Sequence, residues 1–366
     1  MSRKLLFILR WGIFALACWY IWHGFADERN LSAFAFITSM EGQPLWVFGG
    51  LGFVLALMFL NWYLEAAKWK LLLSDLQPMS RRRALAATFA GASISLLTPN
   101  RTGEFVGRVF FVRPEVRIDA AALTVLGNLA QVLATLVLGT LALAIMVWMR
   151  APLPVPAGWA LSAVAFSALL LSAVAFVLYL SPGLLRQVIE VIPYLRRYDS
   201  HFKALDNQPR SRLAAVLGLG VLRYGVFSLQ FFILLTLFVP GIGPVHAMLA
   251  IPVVFLLTTL VPTVMLTELG VRNSATIALM QPLGGAITGI ATATTILWTV
   301  NVLLPALIGS VAALAITREP FSVASLVGFI SLTGIATRNG VLMVSHYIHL
   351  MTEERQTWGR DLIIRG

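Results

Sequence analysis

From Ala120 to Met149 the chain carries no charged side chain. Backbone N–H and C=O groups find no partner in hydrocarbon, so a stretch of this kind spans a bilayer as a helix bonded to itself. At about 1.5 Å per residue it is longer than the ~30 Å apolar core, and tilt or overhang is expected. Leu5–Ala26, Leu45–Leu64, Gly158–Leu180, Leu213–Val239 and Ala286–Thr317 read as further spans. Only 12% of the 366 residues are charged and 58% are hydrophobic, with a mean hydropathy of +0.85. Soluble domains average about 25% charged residues. The expected fold class is all-α, a polytopic membrane helix bundle.

The charges that remain sit mostly between the apolar segments. Arg3 and Lys4 precede the first span, Asp27, Glu28 and Glu41 follow it, and Lys68, Lys70, Arg81, Arg82 and Arg83 follow the second. The positive-inside rule then places the N-terminus in the cytosol of a bacterial-type inner membrane. Residues 65–77 read as an interfacial helix with Trp69 as its anchor. Residues 181–212 read as a cytosolic loop of net positive charge, with an amphipathic piece at the interface. The overall charge of +11 is broken into short runs, which points to anionic lipid head groups as partners and away from nucleic acid. Cys18 is the one cysteine, so no intrachain disulfide forms. The scattered histidines have no metal-ligand spacing, and neither a metal nor a cofactor is expected.

Two stretches break the pattern. Ser95-Leu-Leu-Thr-Pro-Asn-Arg-Thr-Gly-Glu-Phe-Val-Gly-Arg108 follows Ala84–Thr98, and Leu260-Val-Pro-Thr-Val-Met-Leu-Thr-Glu-Leu-Gly-Val-Arg-Asn273 follows Ala247–Val261. Both leading segments are too short to cross comfortably, and each meets a proline, Pro99 or Pro262. They read as re-entrant or broken-helix hairpins. Three spans separate them, so the first enters from the cytosol and the second from outside, an inverted-topology repeat whose halves meet near the midplane. Each contains Glu-x-x-x-Arg, Glu104–Arg108 and Glu268–Arg272, a spacing that puts acid and base on one helical face. Each pair either neutralises itself or touches a substrate. Arg101, beside Asn100, has no second acid in its turn, so it is the candidate to hold an anionic head group. Pro99, Gly103, Gly107, Pro262 and Gly270 are read as hairpin geometry rather than chemistry.

Leu97-Thr-Pro-Asn-Arg-Thr-Gly-Glu-Phe-Val-Gly-Arg108 resembles the pattern of flippase-like membrane proteins related to the transmembrane region of lysylphosphatidylglycerol synthase. Leu260-Val-Pro-Thr and Glu268-Leu-Gly-Val-Arg-Asn273 are similar to that family's second half-site, although Thr263-Val-Met-Leu266 is bulkier than a glycine-rich turn. The resemblance covers residues 1–318. It implies a lipid-handling domain that translocates or binds an anionic or aminoacylated (glyco)phospholipid between leaflets. The soluble aminoacyl-transfer domain of the full synthase has no counterpart here, so the chain is not expected to be an enzyme.

Residues 319–366 resemble something else. Phe321 to His349 and Arg360-Asp-Leu-Ile-Ile-Arg-Gly366 are similar to the penultimate helix and cytosolic loop of heavy-metal efflux pumps of the resistance–nodulation–division class. The span count leaves this tail outside, whereas the pump resemblance puts it inside. A chimeric junction near Arg318–Pro320 would reconcile them. Met343, His346 and His349 are read as ordinary residues of a helix end, because a metal needs a fuller ligand set. The alternative function is an ion- or proton-coupled exporter of small molecules, with Glu104 or Glu268 as proton carrier; metal export is suggested by the tail alone.

Overall fold

A computed structural model describes residues 45–96, 103–153, 159–181, 183, 184, 187, 208–261 and 265–317. The first span, Arg101, Asn100, Pro99, Pro262, most of the 181–212 loop and the pump-like tail lie outside them. The described residues form helices and no strands. The chain divides into two units, Met1–Gly309 and Ser310–Gly366; the described part of the second is Ser310–Thr317, which is helical.

In the first unit α1 spans Leu45–Leu72, α2 Arg81–Leu96, α3 Gly103–Val109, α4 Arg117–Trp148 and α5 Trp159–Leu180. After the 181–212 region come α6, Arg210–Phe238, α7, Pro244–Leu260, and α8, Met265–Met280. The last apolar run is α9, Ile287–Trp298, a π turn over Thr299–Leu303, and α10, Leu304–Thr317. Pro305 has no N–H for the carbonyl four residues before it, and the widened turn sits just ahead of it. Among the described residues four helices are long and apolar enough to cross a membrane: Leu45–Leu72, Pro114–Trp148, Arg210–Phe238 and Ile287–Ala312. Their outward faces carry large apolar side chains such as Phe53, Phe59, Leu141 and Leu222. This is a multi-pass membrane helix bundle.

The order of lengths recurs. Helices of 28 and 29 residues, α1 and α6, precede short helices of 16 and 17, α2 and α7. Each short helix packs on its return segment, α2 on α3 and α7 on α8. Across the two sets α1 lies along α6, α4 packs on α7, and α2 touches the π turn. The core at this junction is aromatic, with Phe255 of α7 stacked on Phe227 at 4.8 Å and on Phe231 at 5.9 Å.

One expectation is overturned. Residues 65–72 do not form a separate interfacial helix but continue α1 without a break. Trp69 is 1% exposed and donates from Nε1 to Thr124 Oγ1 at 3.0 Å, so it is a core residue and not a surface anchor. Lys68 is as deeply buried. Its charge suggested an interface only while its partner, Glu65, went uncounted.

α2 and α3 meet at glycines. A Cβ on Gly107 would come within 2.5 Å of Gly91 Cα and 2.6 Å of Gly91 N, so the two backbones touch there. At the other end of α8 the chain turns through Gly284, whose φ of +96° favours glycine. Outside the spans, Arg212 at the start of α6 clasps Asp75 after α1 with bonds of 2.6 and 2.9 Å. Its guanidinium holds the Asp75 carboxyl below the usual carboxylate range.

Gly107→Ala should destabilise the protein by about 1–3 kcal/mol, seen as a lower unfolding temperature in detergent. Gly218→Ala, with open space around it, should leave that temperature unchanged or raise it slightly. The Asp75–Arg212 clasp adds stability above the ordinary carboxylate range and loses it as pH falls through the depressed value. Unfolding temperature measured against pH should therefore drop less on acidification in Arg212→Ala than in the native chain.

Candidate anion site

α1 carries Glu65 and Lys68 one turn apart, each 1% exposed. Lys68 Nζ stands 2.7 Å from Glu65 Oε2. Arg108 of α3 donates from Nη2 to Glu65 Oε1 at 2.9 Å and also to Glu104 Oε1. Arg223 of α6 brings Nη1 to 3.0 Å from Glu65 Oε2. One carboxylate thus ties three helices through three cations. The Arg108 guanidinium also lies 5.8 Å from the centre of the Trp69 ring, a cation–π contact. This cluster holds two acids and three bases, a net charge of +1.

In the second Glu-x-x-x-Arg pair Arg272 Nη2 stands 2.9 Å from Glu268 Oε1. Arg272 lies 5.8 Å from the centre of the Phe227 ring. Glu104–Arg108 is not a closed pair, because Arg108 is shared with Glu65.

Beside the cluster is a cavity of about 200 Å³. Arg223 and Arg272 both line it, with Asn61, Gln131, Thr135, Thr258, Trp298 and Asn301 supplying polar edges and Tyr224, Phe227 and Phe255 an aromatic wall. Arg223 is also 3.3 Å from Gln131 Oε1. Asn61 donates to Asn301 Oδ1 at 2.9 Å, which ties α1 to the π turn. Asn61, Gln131, Arg223 and Asn301 each come from the middle of a long apolar run, so the lining groups sit far from either end of their spans. Two guanidinium groups facing one polar cavity can hold an oxyanion by charge-assisted hydrogen bonds.

Of the residues expected from sequence, Glu104 and Arg108 join the Glu65 cluster; Arg272 lines the cavity, and Glu268 is paired to it. Gly103 and Gly107 are buried at the α2–α3 crossing, and Gly270 is half-buried on α8. Sequence reasoning passed over Glu65, Arg223, Asn61, Gln131 and Asn301. The signal for Arg223 was present: it is the lone charge between Leu213 and Val239, and a charge within a span is by default a functional residue. For Glu65 the signal was Lys68 three residues on.

The family described as the lysylphosphatidylglycerol synthase TM region matches residues 7–310. The chain belongs to that family. The AcrB/AcrD/AcrF family matches residues 288–361, in line with the pump resemblance of the tail, and the two matches overlap from 288 to 310. No curated protein matches the chain. Membership makes this a lipid-related membrane protein.

Removing one member of a buried ion pair costs about 3–5 kcal/mol, because the partner is left uncompensated. Arg108→Ala should therefore lower thermal stability in detergent by that order, and Arg108→Lys should recover part of it.

Proposed function

We propose that the chain binds the head group of an anionic or aminoacylated phospholipid in the Arg223–Arg272 cavity and carries it between leaflets. The carrying observation is that two arginines line one polar cavity drawn from the middles of apolar helices. Intramembrane cations facing a cavity mark a substrate path. About 200 Å³ is smaller than a typical drug-sized site. A phosphate and its nearest substituent fit that volume; the acyl chains stay in the bilayer. The recurrence of a long helix and a short hairpin supports an inverted repeat with the cavity at its interface. In this reading the N-terminus is cytosolic, the membrane is the bacterial inner membrane, and the chain moves lipid without chemical conversion. In this reading Arg101 would be a further phosphate contact. Proton-coupled export finds less support, since Glu65, Glu104 and Glu268 are each already occupied by a cation.

The test is lipid movement in proteoliposomes, followed by bleaching of a fluorescent phosphatidylglycerol in the outer leaflet. Arg223→Gln and Arg272→Gln should each slow movement about tenfold or more, as loss of a charge-assisted contact predicts. Native rates in both variants, shown to be folded by gel filtration, would remove this reading.

A further inference from the structure

Arg223 belongs to two places at once. Its Nη1 is 3.0 Å from Glu65 Oε2, yet the residue lines the cavity and is 20% exposed, whereas Glu65 is 1% exposed. Its Nε has no hydrogen-bond partner among the described residues, so the guanidinium has donor capacity left over. Glu65, by contrast, does not depend on Arg223. Lys68 holds the same oxygen at 2.7 Å and Arg108 the other at 2.9 Å. An arginine this deep in apolar surroundings needs a counter-ion at all times. Glu65 can give it up and remain compensated by two cations.

We propose that Glu65 is the resident counter-ion of the cavity. A phosphodiester anion entering the cavity takes Arg223 from Glu65, and Glu65 takes it back when the anion leaves. This rests on the reading of the cavity as an anion site and names the residue that competes for it. The charge count sets the ligand class. Among the described residues, Glu65 and Glu104 against Lys68, Arg108 and Arg223 give the cluster a formal charge of +1. The neighbouring Glu268–Arg272 pair is neutral. A monoanion brings the whole to zero; a dianionic phosphate monoester overshoots to −1. The site therefore prefers a phosphodiester to a monoester. Each exchange replaces one buried ion pair by another, so the arginine is never left bare.

The experiment measures binding by the full chain in detergent, by calorimetry. The probes are dihexanoyl phosphatidylglycerol as a lipid diester, dihexanoyl phosphatidic acid above pH 8 as a lipid monoester, and inorganic phosphate as a free anion. A native chain that binds none of them removes the anion-site reading itself. Binding of inorganic phosphate alone would overturn the lipid source, and phosphatidic acid binding more tightly than phosphatidylglycerol would overturn the charge match. For the counter-ion role, Glu65→Gln should tighten phosphatidylglycerol binding by about tenfold, because the competing ion pair with Arg223 is gone. The double variant Glu65→Gln/Lys68→Met keeps the cluster at its native charge and should tighten it too. Equal or weaker binding in Glu65→Gln, or tightening that vanishes in the double variant, overturns the proposal; the second result would mean only a general field effect. Should Glu65→Gln not fold, Glu65→Asp keeps the charge while drawing the carboxylate back from Arg223. It should also tighten binding, and equal or weaker binding there is equally decisive against the role.

Discussion

The Glu65 carboxylate is the contact on which the rest of the described bundle depends. Lys68, Arg108 and Arg223 reach it from α1, α3 and α6. None of these cations could be buried alone, since an isolated charge in an apolar interior is prohibitively costly. Together they are tolerable only if the α2–α3 hairpin docks on α1 and α6 lies along α1. Electrostatics thus adds a geometric constraint to van der Waals packing, because lipid tails are as apolar as leucine and leave no hydrophobic driving force between helices.

The cavity follows from the same arrangement. α6 carries Arg223 between the cluster and the open space, and α8 brings Arg272 to the same space with Glu268 as its own partner. The Asn61–Asn301 bond holds α1 to the π turn beside that cavity. The widened turn and Pro305 set a local break into an otherwise continuous helix, the kind of irregularity that membrane helices carry where they line a site.

Much of the fold was legible. The long helices through Ala120 and Leu213 and the final run from Ala286 follow from apolar length, which acts locally. The mistakes concern partners. Lys68 and Trp69 were assigned to the interface by residue type, which ignores which face of α1 they occupy. Arg223 was passed over because a single charge barely lowers the hydropathy of a long span. Glu104–Arg108 looked self-contained because its third member lies on another helix, some forty residues earlier in the chain.

The sequence by itself determined that this chain is a membrane helix bundle, because hydrocarbon leaves the backbone no alternative to helices and penalises every unexplained charge. It also determined the two Glu-x-x-x-Arg pairs, since their spacing fixes a shared helical face. Only the tertiary structure decided that Arg108 is shared with Glu65 and that Arg223 and Arg272, from helices α6 and α8, line one cavity. These are contacts between residues far apart in the chain, and helical periodicity, which relates only near neighbours, carries no information about them.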